Sequence, residues 1–371
     1  MKFTIKRQQF TNALKFNVNI IDNININPLL NSVLLKVGNN ILTIISSNNT
    51  ISIQNQVKES LEIVSDGKVL VKGRILFNIL SKIKEEEITF EIIDNSIGRV
   101  SSSSFSSDIN ILDATSYPNI NFSHEGWQKF SLPQELLGSV VSKLAPITVH
   151  TNEYNSPLAG VLFDAKRLAG CIEAVGTDSF HLAYLKREYT GEQFKMVLGS
   201  EVLKHLSELS SLGKNIVFYL NNFHLIIEVD NFLLSCRLIE GEYPSAIKAI
   251  EMEQQFQFQV SKSLFNNALD RGMILAAGDK KPTVLLHITP GKVKLTCRSI
   301  EYGSSYEELD INGYEGESIN ILLNVKYLSD LIKNIDSEKV VFAFTAANKP
   351  IILKEENNNN YTSLILPIRN I

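Results

Sequence analysis

The sequence predicts an α+β chain built from three similar domains, and three sets of recurring markers predict it. The first is Val71-Lys72-Gly73-Arg74-Ile75-Leu76-Phe77-Asn78-Ile79-Leu80, which returns as Leu198-Gly199-Ser200-Glu201-Val202-Leu203-Lys204-His205-Leu206 and as Leu323-Asn324-Val325-Lys326-Tyr327-Leu328-Ser329-Asp330-Leu331. Leu76, Leu203 and Leu328 stand 127 and 125 residues apart. The second is a phenylalanine on a short alternating segment downstream of each, Phe90, Phe218 and Phe342. The third opens each copy: Phe3-Thr4-Ile5-Lys6, Phe130-Ser131-Leu132-Pro133 and Phe258-Gln259-Val260-Ser261. Solenoid repeats run to roughly 20–50 residues, whereas this period has the size of a domain.

Each copy reads as strand, helix and several strands, then the same again. Phe3–Ile5 alternates, and Phe10, Ala13, Leu14 and Phe16 mark one helical face. Segments 29–37, 41–46 and 50–54 read as strands parted by Gly38-Asn39-Asn40 and Ser47-Asn48-Asn49 turns. Segment 69–71 leads into a helix over 74–83, and 88–93 starts a second meander. Tyr117-Pro118 and Tyr243-Pro244 close the first two copies. The expected domains are therefore 1–125, 126–252 and 253–371. Two short helices among about eight strands cannot cover both faces of a sheet, so the helices are expected on one side of antiparallel sheets.

Composition narrows the function. A net charge of −4 over 371 residues argues against a protein that coats nucleic acid with its whole surface. Cys171, Cys236 and Cys297 form no pair with metal or disulfide spacing and read as buried apolar residues in a reducing compartment. The N-terminus lacks the apolar core of a secretory leader, and no apolar run reaches membrane-spanning length, so the expectation is a cytoplasmic protein without membrane contact. No phosphate loop, paired histidines or carboxylate pair marks a catalytic, cofactor or metal site. Asp178-Ser179-Phe180-His181 holds triad residue types within one turn of chain, which reads as a structural turn. A binding module is expected; an α+β enzyme with a dispersed polar site is the alternative.

Charge is unevenly placed. The six expected helices carry twelve basic and five acidic residues although the whole chain is −4. Lysine suits any solvent-facing helix, so one reading is bland. The other sets all helices on one side facing a polyanion, with Lys6, Arg7, Lys15, Arg74, Lys82, Lys143, Lys204, Lys262, Lys326 and Lys333 toward phosphates in a sequence-independent contact. Helices packed roughly 8–10 Å apart would enclose about 10 Å if six closed a ring and about 28 Å if twelve did. Duplex DNA is roughly 20 Å across, so encirclement requires two copies.

Five segments carry a family resemblance: 27–35 (Asn27-Pro28-Leu29 to Leu35), 158–163 (Leu158-Ala159-Gly160-Val161-Leu162-Phe163), 175–183 (Val175-Gly176-Thr177-Asp178 to Ala183), 238–244 (ending Gly241-Glu242-Tyr243-Pro244) and Leu364-Ile365-Leu366-Pro367-Ile368-Arg369. Here the chain resembles the bacterial DNA polymerase III beta subunits, the sliding clamps. The resemblance implies a ring of two subunits around duplex DNA that tethers the polymerase alpha subunit, and a cleft for short linear motifs of polymerase, clamp loader and repair proteins. Carried over by residue, the cleft is Leu158, Thr177, Ser179, Phe180, His181, Leu182, Pro244, Asn348, Pro350, Leu364, Leu366, Pro367, Ile368 and Arg369. The implied subunit interface sets Ile109 and Ile111 of one copy against Arg271, Ile274 and Leu275 of another. The chain departs from the family pattern at Ser179, Phe180 and His181, where a small residue, a histidine and a basic residue are common. It departs also at Ile24, Ser200 and Glu201, where basic residues are common.

Overall fold

The structure, a computed structural model, describes residues 1–21, 27–149, 156–210, 215–245, 247–276 and 282–368. It contains seven α-helices and twenty-five strands among these residues, in two compact units. Every strand pairing is antiparallel, as the α+β expectation requires.

The first unit, Met1–Leu132 with His205–Leu238, carries a sheet of thirteen strands. Helix α1 (Arg7–Asn19) and helix α2 (Gly73–Lys82) pack together over it. Phe10, Ala13, Leu14, Asn17 and Val18 form the buried stripe of α1 at three- and four-residue spacing. Phe3, Phe10 and Phe90 meet at centroid distances of 5.7 and 5.6 Å, joining strand Lys2–Lys6, α1 and strand Glu87–Ile92. Asn17 is fully buried, and its Nδ2 donates to Ile44 O (3.2 Å), Ser46 Oγ (3.1 Å) and Ile53 O (3.2 Å). Gly73 opens α2 because a Cβ there would lie 2.4 Å from Val33 Cγ2.

Strand Ser106–Leu112 refines one expectation. Ile109 and Ile111 belong to the hydrophobic core of this unit, and Asp108, Asn110 and Leu112 face outward. Side chains alternate along a strand, so the two isoleucine side chains serve this core, while the backbone that carries them stays available for pairing along its edge.

The second unit, Pro133–Lys204 with Ile239–Ile371, holds a sheet of eight strands and another of four. Helix α3 (Gln134–Ser139) widens into a π-turn at Val140–Leu144 and tightens into a 3₁₀ turn at Ala145–Ile147, where Pro146 ends it. Helix α4 (Ser200–Ser210) crosses from this unit into the first. Helix α5 (Ile247–Ile250) is a single turn that the sequence reading did not foresee. Helices α6 (Lys262–Ala276) and α7 (Val325–Lys333) pack together; Asn324 Oδ1 caps α7 by accepting from Lys326 N (3.0 Å) and Tyr327 N (3.1 Å). Cys236 and Cys297 are buried, while Cys171 is only half-buried, a milder environment than expected.

Candidate functional site

A pocket forms where strand His181–Glu188 pairs with strand Asn358–Ile365, setting His181 against Ile365 and Leu182 against Leu364. The turn before His181 is built by its own side chains. Asp178 Oδ1 accepts from Phe180 N (2.8 Å), His181 N (2.9 Å) and His181 Nδ1 (2.7 Å). Thr177 Oγ1 donates to His181 O (2.7 Å) and accepts from Ser179 N (3.1 Å), and Ser179 takes a φ of 78°. This expected turn throws Phe180 outward, 59% exposed. The His181 ring stacks on Tyr327 at 4.2 Å and 10°, and Phe180 lies roughly parallel to the same ring at 6.4 Å and 21°. Burial pushes the Asp178 carboxyl up, but hydrogen bonds from the His181 side chain and from the His181 and Phe180 amides outweigh it and hold the group below the usual range. Tyr243 Oη donates to Val175 O (2.9 Å) and Gly160 O (3.2 Å), fixing the backbone beside Pro244.

The cavity enclosed by these elements is ≈ 230 Å³, lined by Thr177, Ser179, Phe180, His181, Leu182, Pro244, Ala249, Leu364 and Leu366. Eight of the nine were candidates from the sequence; Ala249, from α5, was not. Tyr327, the stacking partner, was also missed. Its one signal is an aromatic at the repeat position that Ile75 and Val202 hold elsewhere. Leu158 lies half-buried in the turn Pro157–Ala159, and Asn348 and Pro350 lie in the bend before strand Ile351–Glu355, all outside the lining. Past Leu366 the chain is tied down, since Ile368 N donates to Leu322 O at 2.8 Å. Pro367 sits between these two, while Arg369 lies outside the described residues, as does Ile24.

The basic candidates divide. Lys15, Arg74, Lys82, Lys204, Lys326 and Lys333 are exposed. Arg74 donates to Ile21 O (2.8 Å), Arg7 Nε to Glu85 O (3.2 Å), and Lys333 lies 3.6 Å from Asp270. Lys6 pairs with Glu86 at 3.2 Å. Lys262 turns its ammonium to Lys333 O and Ile335 O, the carbonyl end of α7. Lys143 is a correction. Its side chain is 13% exposed, pairs with Asp336, lies 3.9 Å from the buried Glu355 and sits 5.0 Å over the Tyr361 ring. Its ammonium is largely covered, between the exposed Asp336 and the buried Glu355 of the second unit.

Among the described residues that pair on one side only, two stretches bear on the expected subunit interface. Strand Ser106–Leu112 pairs along 106–110 only with Ile97–Ser101, because Gly67–Val71 reaches no further than Ile111 and Leu112. Strand Gly303–Asp310 pairs only with Lys292–Ser299. Beside the latter, Arg271 forks onto Glu307 with two bonds of 2.6 Å, Ile274 is 73% exposed, and Leu275 is half-buried.

Comparison with known proteins accords with this architecture. Models of the N-terminal, central and C-terminal domains of the DNA polymerase III beta subunit match residues 1–121, 131–245 and 248–369. The chain is 26% identical over 382 residues to the beta sliding clamp of Halalkalibacterium halodurans, covering 100% of both. It is 27% identical over 377 residues to that of Streptococcus pneumoniae, covering 99% of each. The crystal structure of the DNA polymerase III beta chain from Streptococcus pneumoniae superposes with a TM-score of 0.92 at 25% identity over 100% of both chains. Three consecutive domain matches running nearly end to end, with that superposition, establish that the chain belongs to the DNA polymerase III beta subunit family, the beta sliding clamps.

Proposed function

We propose that two copies of this chain close head to tail into a ring around duplex DNA and hold DNA polymerase III there during strand elongation. The ring is a non-catalytic replication clamp acting in the cytoplasm. The observation that carries the proposal is the pair of open edges. The strand Ile51–Val57 of the first copy of the repeat is completed by Phe232–Arg237 of the second, and His181–Glu188 is completed by Asn358–Ile365 of the third. Gly303–Asp310 and Ser106–Leu112 occupy the equivalent places in the third and first copies and lack such a partner. Joining them between two molecules would repeat the same seam and leave no free end, which is how a head-to-tail contact closes a ring. The backbone of residues 106–110, Ile109 included, would then pair with Gly303–Asp310, next to Arg271, Ile274 and Leu275.

The partition into 1–125, 126–252 and 253–371 follows the repeat and is supported by the three consecutive family segments. Lys15, Arg74, Lys82, Lys204, Lys326 and Lys333 supply sequence-independent phosphate contact; Lys143 does not take part. The pocket takes leucine or phenylalanine side chains from short segments of the polymerase alpha subunit, the clamp loader and repair proteins. Its volume admits about one or two such side chains, and its mostly apolar lining suits them.

Mass in solution together with retention on nicked circular DNA tests the proposal. A dimer that stays on circles and slides off linearised DNA is expected. A monomer at micromolar concentration, or equal loss from both forms, would refute it.

A further inference from the structure

The pocket wall that the sequence did not foresee is also the element with the least to hold it. Helix α5 has four residues, none of them buried, and a single turn has no stability of its own in water. Between strands Phe232–Arg237 and Phe256–Ser261 it is the one regular element of the described chain. Ile247, Ala249 and Ile250 pack on an apolar cluster that includes Tyr184 and the pocket-floor residues Leu182 and Leu364. That contact is apolar and non-directional, so it favours proximity but sets no unique position.

A directional contact comes from Arg167. Its own backbone is fixed by a turn in which Asp164 Oδ1 accepts from Lys166 N (2.9 Å) and Arg167 N (3.0 Å). The guanidinium forks onto Glu173, which is fully buried and also accepts from Tyr184 Oη. The remaining nitrogen, Nη1, reaches Glu251 Oε1 at 2.8 Å, and Glu251 N closes α5 by donating to Ile247 O at 3.2 Å. One side chain thus links a buried anion beside Tyr184 to the residue that ends the wall. A planar fork with two anchored nitrogens holds its third in a set direction, which a lysine could not do.

We propose that Arg167 is the positioning residue of the pocket: anchored on Glu173, it holds Glu251 and with it the α5 wall, fixing the gap that a partner's apolar side chain enters. The inference rests on the reading of the pocket as the partner site. Glu173 is sealed beside the floor on the same sheet face, whereas Glu251 is half-exposed, so only the second contact can be cut without disturbing the core.

The test uses full-length dimer and a fluorescent, uncharged hexapeptide bearing leucine and phenylalanine. Glu251→Gln should weaken binding about two- to fivefold, the range open to a partly exposed ion pair, and Glu251→Lys should weaken it further by repelling Arg167. Melting temperature should stay unchanged in both. The advantage of wild type over Glu251→Gln should vanish in about 1 M salt, where the screening length is roughly 3 Å, while Glu251→Asp should restore much of it. Equal affinities for wild type, Glu251→Gln and Glu251→Lys would overturn the inference and leave the partner reading standing. Loss of affinity matched by loss of melting temperature would overturn it too, since Glu251 would then be a structural residue. A wild-type protein that does not bind the peptide would overturn both.

Discussion

Phe180→Ala separates binding from folding better than any other change at the pocket. Phe180 is 59% exposed, so most of its ring lies outside the core of its own unit. An aromatic side chain has on the order of 200 Å² to bury, and the exposed share is therefore about 120 Å². At about 25 cal/mol per Å² a ligand that covered all of it would gain about 3 kcal/mol. Incomplete cover and ordering of the peptide reduce this, and about 2 kcal/mol, or about thirtyfold in affinity, is the expected loss. Stability should fall by only about 1 kcal/mol, from the ring contact with Tyr327 at 6.4 Å and partial burial. Titration of the leucine–phenylalanine hexapeptide by anisotropy, with thermal unfolding alongside, reads both quantities. Undiminished affinity would show that partners do not use this pocket. A large drop in melting temperature would show that the ring serves the fold.

Four further outcomes are expected. Lys143→Met removes the cation 3.9 Å from the buried Glu355, which still accepts from Asp336 N (2.9 Å) and Asn358 Nδ2, so the urea midpoint of the second unit should fall by the equivalent of about 1–3 kcal/mol; no shift would return Lys143 to the solvent-facing set. Reversing Arg74 and Lys82 together to glutamate should slow loading and sliding on DNA at unchanged melting temperature, and unaltered DNA behaviour would remove α2 from the DNA-facing surface. Ile274→Asp sets a charge at a residue 73% exposed in the single chain, so sedimentation should show monomer with an intact fold, and a persisting dimer would refute the assigned interface. Because the folded-state value of Asp178 is depressed, its stabilising contribution is whole above the ordinary aspartate value near about 4 and is lost as pH falls through the folded value. Asp178→Asn should therefore flatten the fall in stability on acidification below the ordinary aspartate value, and an unchanged slope there would contradict the assignment.

What could be read from the sequence follows from how local each feature is. The repeat was visible because buried leucines and phenylalanines recur at one period: Leu76, Leu203 and Leu328 are each fully buried. The pocket turn was visible because Thr177, Asp178 and His181 satisfy one another within five residues. The burial of Ile109 and Ile111 was there to be read as well, since polar Asp108 and Asn110 alternate with them. Lys143 was not readable. The π-turn at Val140–Leu144 breaks the helical period, and Asp336 and Glu355 lie far away in sequence. Helix α5 gives no periodic signal in four residues, and its place depends on floor residues drawn from distant strands.

The pocket and the proposed ring contact draw on the same structural device. Each copy of the repeat ends a sheet with a strand that needs a neighbour, and the following copy supplies one: Leu234 against Ile53 at the first seam, Leu182 against Leu364 at the second. Unpaired edges invite association with any extended chain, so a single-domain version of this fold would carry two such edges exposed. Linking three copies satisfies two seams and leaves one open edge at each extreme, Ser106–Leu112 and Gly303–Asp310. Both are guarded by charge, with Arg99 bound to Asp108 at one and Arg271 to Glu307 at the other. These pairs discourage indiscriminate strand addition while still admitting an edge of matching shape. The second internal seam differs from the first in carrying the Thr177–His181 turn and Leu366 at its end, so it gains a cavity that a bare strand pairing lacks. Because its lining comes from both sides of a pairing between residues far apart in sequence, the pocket exists only once that seam has formed. A chain unable to complete its sheets would therefore lack the pocket.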